Sequence, residues 1–223
     1  MVKAIIFDLD NTLIDFMRMK KISCEAAIDA MLDAGLKMKK DEALEELYKI
    51  YFEEGLEDKH IFQKFLGRND YKILASAIVS YRKTRTGFLR PYPGTKSTLI
   101  KLKERGYKLA IVSDAPTLKA WIRLVSMGIE HLFDVVVALD ETGEEKPSSM
   151  PFKAALKELN VYAQDCLMVG DKPEKDIAGA RNLGMKTAFA KYGSDKRFCV
   201  ECDYVLESVS DLVELAENTA GQR

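Results

Sequence analysis

The sequence predicts an α/β protein: a parallel sheet with helices on both faces, interrupted by an inserted bundle of helices. Three observations predict this fold class. Short apolar runs alternate with helical segments from about residue 96 onward, which is typical of parallel strands joined by crossover helices. Residues 2–7 form another apolar run of strand character near the N-terminus. Between these two parts, residues 16–85 lack strand-like runs and follow helical spacing.

The composition is that of an ordinary globular protein. The 223 residues suit one domain, or one domain with a smaller insert, and 47% of them are apolar and 31% charged. The net charge of −1 gives no reason to expect nucleic acid or an anionic membrane as a partner. Because no apolar run approaches the roughly 20 residues of a membrane span and no signal peptide is recognised, we expect a cytoplasmic protein.

The helical stretch divides the chain into two predicted domains. Residues 1–15 and 91–223 would form the α/β core, and residues 16–90 a helical cap of about four helices. Asn69 is the expected N-cap of the last of these helices, and the Pro- and Gly-rich residues 86–94 resemble a hinge. A bundle inserted beside strand ends is well placed to act as a lid. Apolar residues recur at helical spacing at Leu44, Leu47, Tyr48 and Tyr51, and at Tyr71, Leu74, Ile78 and Tyr81.

Further strands and helices alternate after the insert. We expect strands at residues 108–112, 134–138, 166–169, 186–189 and 204–206. We expect helices at about residues 96–104, 118–126 and 174–183, around Phe152, Leu156 and Leu159, and from Ser210 onward.

Distinctive polar residues follow four of the predicted strands or their loops. Taken singly, each could be a helix cap, a turn residue or a solvated charge. Because parallel strands place their carboxyl ends at one edge of the sheet, we expect these side chains to converge. They are Asp8 and Asp10, Ser113 and Asp114, Lys146, and Asp171 with Asp176.

The converging residues indicate phosphate chemistry with a divalent cation. Asp8, Asp10 and Asp171 offer hard oxygen ligands without histidine or cysteine, which favours Mg²⁺ over zinc. If the first strand stays extended, Asp8 and Asp10 point the same way, whereas a turn would separate them. A cation, a lysine and the hydroxyl and amide donors near Ser113 and Asp114 together describe a phosphate site.

The nucleophile of such a site would be a carboxylate. The two histidines, His60 and His131, lie away from every predicted strand end, so no Ser-His-Asp or Cys-His set is available. Aspartyl-phosphate formation is the chemistry known for such a carboxylate. Cys199 and Cys202 form a C-x-x-C pair that lacks the second ligand pair of a zinc site, and the sequence assigns them no role.

The motifs resemble those of the haloacid dehalogenase superfamily. Residues 8–12, Asp-Leu-Asp-Asn-Thr, resemble its first motif, D-x-D-x-[TV]. Ser113 is similar to its second motif, Lys146-Pro147 to its third, and residues 170–176 to its fourth, G-D-x(4)-D. The helical insert after the first motif resembles the family's first-type cap. The resemblance implies a Rossmann-like sheet whose first strand is central, between the strands that end at Ser113 and Asp171.

The resemblance also implies roles for these residues. Asp8 would be the nucleophile and a Mg²⁺ ligand. Asp10 would act as general acid and then general base, and would ligate Mg²⁺ through its backbone carbonyl. Asp171 would complete the protein ligands, while Asp176 would orient the site or ligate through water. Thr12 would support the loop, and the phosphoryl group would be held by Ser113, Asp114 and Lys146.

We therefore expect a Mg²⁺-dependent phosphatase that hydrolyses a small phosphorylated metabolite through an aspartyl-phosphate. A phosphosugar mutase on the same scaffold is the main alternative, since the sequence does not report whether water is excluded. A 2-haloacid dehalogenase is less expected, because a halide needs no proton on leaving and those enzymes usually lack the second aspartate, which is present here as Asp10. A non-enzymatic phospho-acceptor domain is the least expected. The sequence reveals neither the phosphate ester nor the oligomeric state.

Overall fold

The computed structural model describes residues 1–55, 58, 60–67, 70–196, 198–199 and 201–220, with the backbone alone at 217–220. The chain forms two compact units. One consists of Met1–Asp15 and Arg90–Arg223, and the other of Phe16–Leu89. Within the part of the chain that is described, no helix is both long and apolar enough to cross a membrane.

The first unit is built on a parallel sheet of six strands, in the order β3-β2-β1-β4-β5-β6. β1 pairs with β2 on one side and β4 on the other, so that Phe7 lies opposite Ile111 and Val169. The expected parallel sheet with a central first strand is confirmed. The strands are β1 (Ala4–Phe7), β2 (Lys108–Val112), β3 (Val135–Val137), β4 (Cys166–Gly170), β5 (Lys186–Ala190) and β6 (Tyr204–Leu206).

Helices account for most of the remaining described residues. In chain order they are α1 (Phe16–Ala34), α2 (Lys40–Glu54), α3 (Ile61–Leu66), α4 (Tyr71–Phe88), α5 (Thr95–Glu104), α6 (Thr117–Met127), α7 (Leu139–Thr142), α8 (Ser149–Leu159), α9 (Ala178–Arg181) and α10 (Asp211–Ala220). The stretch expected as one helix after β4 is a π-helical turn, Pro173–Ile177, followed by the short α9. The short α7 was not predicted, because four residues carry too little periodicity.

The sheet core is apolar because its strands are buried on both faces. All four residues of β1 are buried, as expected for a central parallel strand. On one face the sheet packs against α8 and α9. Gly179 of α9 allows this approach, since a Cβ there would lie 2.5 Å from Cε2 of Phe152.

The second unit, α1 to α4, has a core of its own. Leu47 and Tyr51 are buried in it, in agreement with the predicted stripe on α2. Tyr71, by contrast, is 72% exposed, so this part of the predicted stripe on α4 is wrong. Tyr71 is the first residue of α4, at the edge of a buried face that contains Ile73 and Ala77. Asn69, the predicted N-cap, lies outside the described residues, and the side chain of Asp70 caps this helix by accepting from the Ile73 amide.

A buried cation lies inside this helical core. Lys20 is only 6% exposed, and its Nζ lies 4.0 Å from the centre of the Tyr51 ring. The same ammonium donates to the hydroxyl of Tyr81 at 3.1 Å. The faces of aromatic rings attract cations, which offsets part of the cost of burying this charge.

Candidate active site

The chain turns sharply after β1, and the turn separates the two carboxylates that follow it. Asn11 adopts a left-handed conformation with φ of 61°, which asparagine tolerates better than most residues. Its amide donates to the carbonyl of Ile14 at 2.7 Å. The sequence allowed either an extended strand or a turn at these residues. The structure has the turn, and Asp8 and Asp10 therefore face different partners.

The side chain of Asp8 is buried and held at both oxygens. Nζ of Lys146 lies 2.5 Å from Oδ1. The hydroxyl of Thr12 donates to Oδ2 at 3.3 Å. The backbone amide of Asp8 donates to the carbonyl of Val169 at 2.9 Å, which anchors the residue to the end of β4. The carboxylate is therefore fixed in place at the edge of the sheet.

Lys146 joins the ends of three strands through one ammonium group. Besides Asp8, its Nζ contacts Oδ1 of Asp176 at 2.8 Å and the carbonyl of Val112 at 3.0 Å. Burial alone would lower the pKa of Lys146, but Asp176, Asp8 and Asp114 outweigh it and raise the pKa. Lys146 is therefore a fixed positive charge among carboxylates.

Three buried aspartates form a cluster that could hold a metal ion. Ligand oxygens of Asp8, Asp171 and Asp176 lie within 4.8 Å of one another. Burial, together with repulsion from Asp8 and Asp176, raises the pKa of Asp171 to about 8. Its Oδ1 is buried and has no hydrogen-bond partner among the described residues. Since Lys146 balances one of the three carboxylates, the donor set suits a divalent cation that prefers oxygen ligands.

Asp176 reaches this cluster because of the local backbone on either side of it. It lies in the π-helical turn, a wide turn that often occurs at functional sites. Its Oδ2 accepts from the amide of Lys172 at 3.0 Å. Gly170 leaves the room that the side chain occupies, since a Cβ there would lie 2.4 Å from Cβ and Cγ of Asp176. The glycine of the G-D-x(4)-D motif therefore has a steric role.

We predict that Gly170→Ala displaces Asp176 and weakens metal binding. The added methyl group overlaps a buried carboxylate that cannot move without breaking its contact with Lys146. We expect a loss of about 10–100-fold in Mg²⁺ affinity, as for other supporting residues of metal sites, and about 1–3 kcal/mol of unfolding free energy. Isothermal titration and urea unfolding measure these two effects. Gly87→Ala, which meets no atom within 4 Å, is the control, and equal Mg²⁺ affinity in both variants would refute the prediction.

We also predict that Mg²⁺ binding releases protons at neutral pH. With a pKa of about 8, Asp171 is largely protonated at pH 7 in the metal-free protein, whereas a carboxylate binds a cation in its ionised form. Affinity should therefore weaken as pH falls below 8. Calorimetric titration of Mg²⁺ in two buffers of different ionisation enthalpy should give different heats at pH 7. Asp171→Asn should abolish this difference, and identical heats for the unmodified chain would count against the assigned protonation.

Ser113 and Asp114 lie at the end of the neighbouring strand, β2. Oγ of Ser113 accepts from the amide of Ala115 at 3.2 Å, which leaves the hydroxyl proton to donate elsewhere. Asp114 accepts from the amide of Lys146 at 2.9 Å and pairs with Lys175 at 2.8 Å. Burial raises the pKa of Asp114, but Lys146 and Lys175 outweigh burial and lower it. The carboxylate of Asp114 thus holds the Lys146 loop, and only its backbone could serve an anion.

The side chain of Asp10 lies outside the aspartate cluster and pairs with Arg123 of α6. Nη1 of Arg123 lies 3.0 Å from Oδ2 of Asp10, and the arginine side chain is fully buried. Arg123 was not predicted as a residue of the site. The helical spacing carried a signal, because Arg123 lies between Ala120 and Met127 on the buried face of α6.

A second contact that was not predicted supports the turn after β1 from the end of β5, two strands away in the sheet. The hydroxyl of Tyr192, just after β5, donates to the carbonyl of Thr12 at 2.7 Å. A Cβ at Gly193 would lie 1.5 Å from the carbonyl oxygen of Asn11, so only glycine fits there. No local pattern in the sequence marks these residues, since 180 positions separate Tyr192 from Thr12 along the chain.

The chain matches a known protein family and several named proteins over most of its length. A family model described as haloacid dehalogenase-like hydrolase matches residues 5–190. The chain is 37% identical to the glyceraldehyde 3-phosphate phosphatase of Pyrococcus abyssi, over 99% of this chain and 96% of that protein. It is likewise 37% identical to the glyceraldehyde 3-phosphate phosphatase of Methanocaldococcus jannaschii, over 98% of both.

A solved structure of a phosphatase also resembles this chain over most of its length. The HAD phosphatase from Thermococcus onnurineus is 25% identical and superposes with a TM-score of 0.71, covering 96% of this chain and 98% of that one. The range matched by the family model contains all of the strand-end residues described above.

Proposed function

Because this chain belongs to the haloacid dehalogenase-like hydrolase family and is a phosphatase, we propose that it hydrolyses glyceraldehyde 3-phosphate or a closely similar three-carbon phosphate ester. The observation that carries the proposal is the fixed Asp8, held by Lys146 and Thr12 beside a cluster of buried aspartates. A carboxylate so held is oriented for attack on phosphorus. The substrate follows from relatives at 37% identity that bear this name.

In the first half of the proposed reaction, the phosphoryl group moves to Asp8. A carboxylate oxygen of Asp8 bonds to phosphorus while the bond from phosphorus to the ester oxygen breaks. Asp10 gives its proton to that oxygen, so that the product leaves as a neutral alcohol. Lys146 and the hydroxyl of Ser113 are proposed to hold the transferring group and to offset its developing charge.

The second half returns the enzyme to its starting state. A water molecule bonds to phosphorus, the bond between phosphorus and Asp8 breaks, and Asp10 takes the proton that the water loses. Thr12 keeps the Asp8 carboxylate in position throughout. The products are inorganic phosphate and an ionised Asp8, ready for another substrate.

Mg²⁺ is the proposed cofactor. The three carboxylates fit it by their oxygen chemistry and by the buried Oδ1 of Asp171, and Asp8 and Asp171 are proposed as side-chain ligands. Asp10 is proposed to contribute its backbone carbonyl, and Asp176 to act directly or through water. When bound, the ion would neutralise charge on the phosphoryl oxygens.

The helical residues 16–90 are proposed to form the cap that selects the substrate. A cap suits small phosphate esters better than proteins, because a closing lid leaves little room. We also retain a cytoplasmic location and the absence of a nucleic-acid or membrane partner as parts of the proposal.

The test is phosphate release from a panel of phosphorylated metabolites with and without Mg²⁺, ranked by kcat/KM. We expect glyceraldehyde 3-phosphate to rank above phosphoglycolate, nucleoside monophosphates and hexose phosphates, and chelation of the metal to abolish release. A higher rank for another ester would overturn the substrate. Conversion of a sugar 1-phosphate to its 6-phosphate without free phosphate would favour the mutase instead, and chloride release from a 2-chloro acid the dehalogenase.

A further inference from the structure

The ion pair between Arg123 and Asp10 joins α6 to the turn after β1. Arg123 lies in α6 beside Ala120 and Leu124, which are fully buried, and its side chain has no exposed surface. Asp10 lies in the turn after β1, with 25% of its side chain exposed. The arginine is therefore held in place by packing, and its position limits where the carboxylate that pairs with it can lie.

The arginine of this pair is buried, which distinguishes the pair from one between two surface charges. A buried guanidinium costs several kcal/mol unless it is paired with an anion, by the general estimate for buried ions. Arginine also keeps its charge under all ordinary conditions and presents a planar set of donors. Arg123 therefore constrains Asp10 more strongly than an exposed lysine could, and a purely apolar side chain would fill the same position on α6 at lower cost.

The contact also distinguishes the two oxygens of Asp10. Nη1 of Arg123 lies 3.0 Å from Oδ2, so this oxygen faces a permanent positive charge. Oδ1 of the same carboxylate is buried. The contact with Arg123 therefore fixes the position of the Asp10 carboxylate from its Oδ2 side.

We propose that Arg123 is a positioning residue for the acid–base step, holding the carboxylate of Asp10 through Oδ2 in the place where it exchanges a proton with the leaving alcohol and the attacking water. The proposal rests on the function proposed above for Asp10. In the first half of the reaction the ester bond breaks and the proton on the Asp10 carboxyl passes to the departing oxygen. In the second half Asp10 receives the proton that water loses, so Arg123 itself neither gains nor loses one.

The leaving group provides a readout that a merely structural role would not change. An alkyl alcohol leaves poorly without a proton, whereas p-nitrophenolate leaves well without one. Since kcat/KM covers the reaction up to formation of the aspartyl-phosphate, it reports how well the proton is delivered in that step. Misplacing Asp10 should therefore lower kcat/KM for glyceraldehyde 3-phosphate much more than for p-nitrophenyl phosphate.

The experiment compares Arg123→Met and Arg123→Lys with the unmodified enzyme on both esters. General acid–base catalysis contributes about 10²–10⁴-fold, so we expect Arg123→Met to lose about 10–100-fold on glyceraldehyde 3-phosphate and about threefold or less on p-nitrophenyl phosphate. Arg123→Lys, which keeps the charge with shorter reach, should lie between these. Lys157→Met, a change of an exposed basic residue on α8, is the control and should leave both values unchanged.

A double-mutant cycle with Asp10→Asn completes the test. If Arg123 acts through Asp10, Arg123→Met should add little to the loss that Asp10→Asn causes. Equal losses on the two esters, or additive losses in the cycle, would overturn the inference even with an active enzyme. If Arg123→Met does not fold, the losses of Arg123→Lys on the two esters are compared in the same way and test the inference instead. Absence of Mg²⁺-dependent hydrolysis in the unmodified enzyme would instead overturn the proposed function and this inference with it.

Discussion

Replacing Asp8 by asparagine should lower the turnover of phosphate esters by about 10⁴-fold or more, because an amide does not attack phosphorus. The fold should persist. The asparagine has the same shape, its carbonyl can accept from Lys146, and its amide can donate to the hydroxyl of Thr12. The change also removes one negative charge from a cluster of three buried carboxylates, which relieves repulsion with Asp171.

The measurement pairs steady-state phosphate release with thermal unfolding. Asp33→Asn, which makes the same chemical change at an exposed position on α1, should retain full activity. We expect Asp8→Asn to be inactive with a Tm equal to or above that of the unmodified chain. Substantial turnover by Asp8→Asn would remove Asp8 from the reaction, and collapse of the fold would mean that the carboxylate is mainly structural.

Replacing Lys146 by methionine should impair stability and activity together. Lys146 is 3% exposed and contacts both Asp8 and Asp176, so its loss leaves buried carboxylates without their cation. Removing one partner of a buried ion pair typically destabilises a protein by about 3–5 kcal/mol. Turnover should fall by about 10²–10³-fold, the usual effect of removing one preorganised group that offsets transition-state charge.

The stability deficit should depend on pH with a definite sign. Burial raises the pKa of Asp176 to about 6 even though Lys146 lowers it, so loss of the lysine should raise that pKa further. An acid whose pKa is higher in the folded than in the unfolded state binds more protons when the protein is folded. Its contribution to stability is present below the unfolded-state pKa and is lost as pH rises through the folded-state pKa. The deficit of Lys146→Met should therefore be smaller at pH 5 than at pH 7.5.

Urea unfolding of Lys146→Met at the two pH values measures this deficit. Lys153→Met, an exposed substitution on α8, serves as the matched control and should cost about 0.5 kcal/mol or less. A deficit for Lys146→Met that is equal at both pH values, or absent, would show that the lysine does not balance the buried carboxylates.

The sheet could be predicted from the sequence because each strand carries its signal locally. The run at residues 108–112 is apolar after Lys108, is followed by Ser113 and is a strand over the predicted residues. The central place of β1 followed from the family resemblance and is confirmed by its pairing with β2 and β4. The π-helical turn at Pro173–Ile177 could not be foreseen, because helical periodicity does not distinguish it from an ordinary helix.

The candidate site could be predicted less completely, for reasons of geometry. The meeting of Asp8 with Lys146 follows from strand ends that share one edge of a parallel sheet. The turn that directs Asp10 away from Asp8 depends on the left-handed Asn11, which the sequence only allows. The pairing with Arg123 was out of reach, because no local rule tells which buried charges meet across more than a hundred residues.

The central claim, that Asp8 accepts the phosphoryl group, is tested most directly by trapping the intermediate. Unmodified enzyme with Mg²⁺ is mixed in a single turnover with ³²P-labelled glyceraldehyde 3-phosphate and quenched in acid at successive times. We predict a transient protein-bound label that hydroxylamine removes, that maps to the peptide containing Asp8, and that is absent in Asp8→Asn. Full turnover without any protein-bound label, or label that persists in Asp8→Asn, would contradict the account.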